Sequence, residues 1–114
     1  MKKLISSFVV LTLLVAANAH AGVWNPSVHI SEIEVNTDAA GAGSRAFLSF
    51  QEGATSKPAC GAGSPYVQLQ GTTENIRNLL SISTTAFINS RPVGVFFDGT
   101  CTGPYANVVG LALR

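Results

Sequence analysis

The chain has 114 residues, of which 46% are hydrophobic and 11% charged, and its formal net charge is +1. Without Lys2 and Lys3 that charge becomes −1, and the remaining basic residues form no run or stripe. This balance argues against nucleic-acid binding, which draws most of its affinity from neutralised phosphates.

The N-terminal segment, residues 1–21, predicts a cleaved signal peptide. Lys2 and Lys3 precede an almost unbroken apolar run at 4–17, and the tripeptide 19–21 (AHA) has the form that signal peptidase accepts. The run is shorter than the roughly 20 residues that a membrane-spanning helix needs. We therefore expect cleavage after this segment, export to the periplasm or out of the cell, and no membrane attachment afterwards.

Residues 22–114 then form a single domain, near the size at which one hydrophobic core becomes marginal. They contain two cysteines, Cys60 and Cys101, and paired thiols in an oxidising compartment become disulfides. The bond would close a loop of about 40 residues, for which the chain-entropy model gives roughly 4 kcal/mol. The sequence therefore predicts a structural disulfide rather than a metal or redox site.

The first strand is predicted at 28–35 (VHISEIEV), after a short entry segment. The face on which its apolar residues lie changes partway along the strand. Val28 and Ile30 share one face, whereas Ile33 and Val35 share the other. The strand is therefore either buried on both faces or bulged near its centre, and either arrangement suits a long bent strand that serves two sheets of a small barrel.

The later elements follow from alternation and helical spacing. A helix is predicted at 74–89, with Thr72 or Thr73 as its N-cap, and a turn at Asp98 and Gly99. Further strands are predicted at 45–50, 66–70, 92–98 and 107–113. The fold class is thus mainly β, in the order β-β-β-α-β-β with the helix between strands three and four, which is typical of a five-stranded OB-type barrel.

Catalytic groups are scarce in residues 22–114, which contain one histidine, His29. Its spacing to Glu32 would converge on a metal in a helix but diverges on a regular strand. A Ser-His-Asp catalytic triad could be written with Ser64, His29 and Asp98. However, no strand-turn-helix elbow surrounds Ser64. We therefore predict a protein that is not an enzyme and that holds no metal or cofactor.

Ligand binding is the remaining class of function. OB barrels bind ligands with the loops joining strands one to two and four to five, here 37–44 and 99–106, and with the face of strands two and three. Tyr105 lies in the second loop, where its ring either stacks on a sugar or base or covers the end of the barrel.

Three short stretches carry a family resemblance: 30–35 (ISEIEV), 90–95 (SRPVGV) and 108–111 (VVGL). They resemble, in the same order, the corresponding motifs in the binding subunits of subtilase cytotoxin and typhoid toxin, and they cover most of the domain. The resemblance implies an OB fold, a ring-shaped homopentamer, and binding of sialylated glycans for an enzymatic partner subunit.

The sequence departs from that family in two places. The family's glycan-contacting serine is replaced by Pro26, with Ser27 adjacent, and the cysteine arrangement differs from the single Cys60 and Cys101 pair. We therefore take Ser27 and Tyr105 as candidate ligand contacts in an exported module that binds a glycan or a protein partner. The alternative is a self-standing structural or accessory protein of the cell envelope that binds no small ligand.

Overall fold

The computed structural model of the protein describes residues 22–37, 44–53 and 56–114. The predicted signal peptide, and most of the predicted 37–44 loop, lie outside the described residues. The strands are β1 (Val23–Val28), β2 (Ile30–Thr37), β3 (Ser44–Phe50), β4 (Tyr66–Leu69), β5 (Val93–Thr102) and β6 (Tyr105–Leu113). A helix, α1 (Thr73–Ile88), lies between β4 and β5, and a 3-10 turn (Ala59–Gly61) precedes β4.

The strands form one mixed sheet in the order β1-β5-β6-β4-β3-β2. Neighbouring strands are antiparallel, except that β4 and β6 run parallel. The mainly β class and the position of the helix are as predicted. The prediction of five strands closed into a barrel is wrong: the described residues form six strands, and no ladder joins β1 to β2 at the two ends of the sheet.

The extra strand arises where the predicted first strand is interrupted at His29. The segment before it, which we expected to be an irregular entry, pairs with β5, while the segment after it pairs with β3. Pro26 is tolerated in β1 because β1 is an edge strand and its ladder is irregular between Asn25 and Val28. The predicted bulge is confirmed, since the β2–β3 register shifts between Ile30 and Glu32.

The predicted helix and its cap are confirmed. Thr72 is the N-cap, and its Oγ1 accepts a hydrogen bond from the backbone N–H of Asn75 at 3.1 Å. The helix buries Leu79, Ser83 and Ala86 against the sheet. Ser83 is tolerated there because its hydroxyl donates to the Leu79 carbonyl at 2.7 Å, which satisfies a buried polar group locally.

The hydrophobic core lies between α1 and the inner face of the sheet. Its members alternate along the strands, as expected for a sheet with one buried face. They are Val28, Ile30, Ala46, Leu48, Val67, Leu69, Leu79, Ala86, Val93, Val95, Phe97, Ala106, Val108 and Leu111.

The predicted turn at Asp98 and Gly99 is wrong, because β5 continues to Thr102 and the chain reverses at Gly103 and Pro104. Asp98 Oδ1 accepts hydrogen bonds from both the N–H and the hydroxyl of Thr100. This local contact coincides with a register shift and a positive φ at Gly99, so it bends β5 without ending it. Tyr105 is consequently the first residue of β6 rather than a loop residue.

The predicted disulfide between Cys60 and Cys101 is present, with Cα atoms 6.2 Å apart. It fixes the 3-10 turn against the β5–β6 hairpin, where Cys101 pairs with Ala106. Gly61 packs flush on that hairpin, since a Cβ at position 61 would lie 2.7 Å from both the Cβ and the backbone nitrogen of Ala106. The disulfide therefore supports the segment of β6 that begins with Tyr105.

Candidate functional site

One concave region on the outer face of the sheet gathers aromatic and acidic side chains. We call it the acidic aromatic cleft; it has a volume of about 100 Å³ and is lined by Glu34, Asn36, Phe47, Tyr66 and Tyr105. Four strands contribute, because the register places Glu34 opposite Phe47, and the parallel β4–β6 ladder places Tyr66 beside Tyr105.

The aromatic wall of the cleft is built by packing on the outer face. The ring of Phe47 meets the ring of Tyr105 edge to face, with centroids 4.9 Å apart and planes at 64°. Such edge-to-face geometry is the favoured arrangement of aromatic pairs. Phe47 is buried but is absent from the core cluster, because it lies on the opposite side of the sheet from Ala46 and Leu48.

The polar wall consists of carboxylate, amide and phenol groups. The Tyr66 hydroxyl donates to Glu32 Oε2 at 3.0 Å, and Asn36 Nδ2 donates to Glu34 Oε1 at 2.7 Å. The hydrogen bond to Glu32, together with its negative charge, raises the pKa of Tyr66 above its ordinary value of 10.0. The phenol therefore stays protonated and keeps donating throughout the physiological pH range.

Beneath this wall, Gln68 carries a buried oxygen without a partner. Gln68 is 6% exposed and lies opposite Phe47 on one side and Asn107 on the other. Asn107 is fully engaged, since it accepts from Thr102 Oγ1 at 2.8 Å and donates to Thr100 Oγ1 at 2.9 Å. Gln68 Oε1 has no hydrogen-bond partner among the described residues, which costs free energy, and Gln68 is not among the residues that line the cleft.

The charge at the cleft is negative. Its lining includes Glu34, and Glu32 lies at its margin, while no lysine or arginine is among the described residues that line it. Arg45 is the basic residue closest in register, opposite Asn36, but it is exposed and makes no ion pair with any described carboxylate.

A second pair of aromatic rings lies at the other end of the outer face. We call it the Trp24 patch, formed by Trp24, Phe96, Gly110 and Arg114. The rings of Trp24 and Phe96 have centroids 5.2 Å apart, and the Arg114 guanidinium lies 6.0 Å from the Trp24 ring centroid. Gly110 lies beneath this pair, because a Cβ there would lie 3.1 Å from Phe96 Cβ, a tight contact, and 3.6 Å from the Trp24 ring, an ordinary one.

The two candidate ligand contacts are not brought together. Tyr105 lies in the acidic aromatic cleft, at the end of β6 that pairs with Thr102. Ser27 is exposed on β1, near Val93 at the opposite end of the β5–β6 ladder. At about 3.4 Å per residue the distance along β5 from Val93 to Thr102 is roughly 30 Å, too far for one small ligand to touch both.

His29 contacts a different carboxylate from the one that the sequence spacing suggested. Its Nδ1 lies 2.7 Å from Glu52 Oε2, and its backbone N–H donates to Glu52 Oε1 at 2.9 Å. These hydrogen bonds lower the pKa of Glu52 below its usual value of 4.5. Glu32 bonds Tyr66 instead, and no group of three His, Cys, Asp or Glu side chains in the described part of the chain could hold a metal ion.

The other members of the hypothetical triad are also engaged elsewhere. Ser64 Oγ accepts from the Tyr66 N–H at 3.2 Å, and Asp98 bonds Thr100. Each of these contacts is local and structural. Ser64 instead helps to place Tyr66 at the start of β4.

Sequence reasoning found Tyr105 but missed the other lining residues. The alternation Glu32, Glu34, Asn36 along β2 was a readable signal of a polar outer face. What the sequence did not show was the register that sets Glu34 against Phe47 and Tyr66 beside Tyr105.

Within residues 22–37, 44–53 and 56–114, no helix combines the length and the hydropathy that crossing a bilayer requires. Comparisons of the chain with protein-family models, with curated proteins and with solved structures found no match in any of the three.

Proposed function

We propose that this chain is an exported, non-enzymatic binding module that holds a carbohydrate in the acidic aromatic cleft. The observation that carries the proposal is the convergence, in one concave site, of the Tyr66 and Tyr105 side chains with the carboxylate of Glu34 and the amide of Asn36. Aromatic faces pack on the apolar side of a sugar ring, and carboxylate and amide groups bond its hydroxyls.

The proposed relationship to OB-type domains, whose loops and strand faces bind oligosaccharides, rests on the motif resemblance and on the position of the helix. The six strands of the described residues do not close into the five-stranded barrel of that fold. β1 and β2 are continuous in the chain through His29 yet occupy the two ends of the sheet, and α1 follows β4. The cleft is built by residues of β2, β3, β4 and β6.

Export and assembly are part of the same proposal. A disulfide is expected in a protein that passes through an oxidising compartment, in keeping with the predicted signal peptide at 1–21.

β1 and β2 each have one neighbour in the sheet, and unpaired edges are natural sites for pairing with another chain. Light scattering of the purified protein should give a homopentamer, whereas a monomer at micromolar concentration would contradict this part.

A glycan array tests the proposed function directly. The protein, expressed with its own N-terminal segment and purified from the periplasm, should bind a subset of glycans, and Tyr105→Leu should abolish that signal. Phe96→Leu is the matched control, because it removes a partly buried ring from the same outer face without touching the cleft. Equal signals from the two variants would contradict the assignment of the site.

Ser27 stays a separate prediction from the toxin-subunit resemblance. Because it lies far from the cleft, Ser27→Ala should leave binding at Tyr105 unchanged. If Ser27→Ala abolished glycan binding and Tyr105→Leu left it unchanged, the binding site would be assigned to β1 instead of the cleft.

A structural or accessory role without a small ligand is the second candidate, and one observation favours it. The cleft is about 100 Å³, below the roughly 300–1,000 Å³ typical of ligand pockets, and two of its polar groups already bond each other. Absence of binding to every glycan tested, with a correctly folded disulfide-bonded protein, would favour this alternative.

A further inference from the structure

We infer that the acidic aromatic cleft selects a sugar carrying an ammonium group, an unacetylated amino sugar, over neutral and sialylated sugars. The inference rests on the proposed function and names the ligand class of the same site. It also departs from the sialylated glycans that the toxin-subunit resemblance implies.

The charge at the cleft favours a cationic ligand. Glu34 lines the cleft and Glu32 lies at its margin, with no lysine or arginine among the described lining residues. Asn36 donates to Glu34 Oε1, while no described residue donates to Glu34 Oε2. A ligand ammonium can therefore bond this carboxylate oxygen with charge assistance. The carboxylate of a sialic acid would instead face like charge.

The aromatic wall of the cleft also favours a cation. A cation placed over an aromatic face is attracted by the ring quadrupole. In the Trp24 patch that position is already held by Arg114, whose guanidinium carbon lies 6.0 Å from the ring centroid. In the cleft, no basic residue is among the described residues that form the lining together with Tyr66 and Tyr105. One aromatic pair of the outer face thus has a cation over one of its rings, whereas the Phe47 and Tyr105 pair has none among the described residues.

The small volume of the cleft favours a single charged substituent. A volume of about 100 Å³ is too small to enclose a sugar ring, but it admits a single substituent. An ammonium group on the ring could enter between Glu34 and the tyrosines while the ring itself rests on the rim. An ammonium supplies three donors, and Glu34 Oε2 is a lining acceptor to which no described residue donates.

Isothermal titration with three oligosaccharides tests the inference at about pH 6, where an amine is protonated and a glutamate ionised. The probes are a β-1,4-linked glucosamine trisaccharide, its fully N-acetylated counterpart and sialyllactose. We expect the glucosamine trisaccharide to bind about tenfold more tightly than the acetylated one. Added salt should weaken binding of the cationic sugar alone.

Glu34→Gln should remove this preference, because the amide keeps the shape and the acceptor for Asn36 but loses the charge. Glu74→Gln is the matched control, since Glu74 is exposed in the first turn of α1, away from the cleft. Preserved circular dichroism and an intact disulfide in both variants exclude misfolding as the cause of a lost preference.

Each contrary outcome overturns a defined part. Equal affinity for the glucosamine and acetylated trisaccharides would overturn the charge selection and leave the proposed function standing. Tightest binding of sialyllactose would also overturn it, while supporting a glycan-binding role. Binding of trilysine as tight as that of the glucosamine sugar would overturn the sugar assignment, and absence of any sugar binding would overturn both proposals.

Discussion

The outer face of the sheet carries two aromatic clusters that differ in their polar surroundings. In the Trp24 patch, Trp24 and Phe96 pack together and Arg114 covers one ring. In the acidic aromatic cleft, Tyr105 packs on Phe47, and the neighbouring groups are carboxylates and an amide. Exposed aromatic rings alone do not identify a site. The charge and the unfilled hydrogen bonds beside them distinguish the cleft from the patch.

The two regions also differ in how they are anchored. The cleft lies at the end of the β5–β6 hairpin that the disulfide fixes, since Cys101 pairs with the residue after Tyr105. The Trp24 patch lies at the far end, where Arg114 donates from Nε to the Pro26 carbonyl at 3.2 Å. Four changes should separate the two regions.

The largest effect is expected from removing the disulfide. Cys60→Ala combined with Cys101→Ala should lower the free energy of unfolding by about 4 kcal/mol, because the unfolded chain regains the entropy of a closed loop. Urea unfolding followed by Trp24 fluorescence measures this loss. Ligand binding at the cleft should weaken as well, whereas unchanged stability would contradict a structural role for the bond.

Gly61→Ala should come next, at about 1–3 kcal/mol, because the added methyl group overpacks against Ala106. Gly63→Ala is the matched control within the same loop, since a Cβ at position 63 meets no atom within 4 Å. Thermal unfolding of the two variants should therefore differ clearly. Equal melting temperatures would show that the 3-10 turn is not held tightly on β6.

Trp24→Ala should cost about 1–2 kcal/mol of stability through the lost ring contact and the lost cation–π contact with Arg114. The cost is modest because Trp24 is 47% exposed. Binding at the cleft should be unaffected. If this variant lost ligand binding while remaining folded, the distinction between the two clusters would fail.

The smallest effect is a change in titration at the cleft. The pKa of Tyr66 is raised by Glu32, so the Tyr66 hydrogen bond is complete below pH 10.0 and is lost as pH rises through the raised pKa. Glu32→Gln should therefore lower the pKa of Tyr66. Absorbance titration of the phenolate measures the shift, with Glu74→Gln as the control that leaves it unchanged.

The sequence predicted those features that local chemistry determines. The Thr72 cap needs only a hydroxyl before a helical pattern, and the disulfide needs only two cysteines and an oxidising environment. The β2 bulge was readable because the apolar residues change face between Ile30 and Ile33. Each of these signals lies within a few residues or has one possible partner.

The features that failed depend on distant parts of the chain. The sixth strand forms because the segment around Trp24 pairs with β5, where Trp24 lies opposite Phe96. No residue close to Trp24 in the sequence indicates this pairing. The Asp98 turn signal was overridden because β5 continues to pair with β6 as far as Thr102. The cleft likewise depends on the parallel pairing that sets Tyr66 beside Tyr105, a contact between segments separated by α1 and a whole strand.

The most direct test of the account is a ¹⁵N–¹H correlation spectrum of the protein during titration with the glucosamine trisaccharide. We predict that the backbone amides of Glu34, Phe47, Tyr66 and Tyr105 shift together with one dissociation constant, while the indole N–H of the single tryptophan, Trp24, stays fixed. A shift of the Trp24 indole signal without shifts of the four cleft amides would contradict this prediction. The absence of any shift at every ligand concentration would also contradict it.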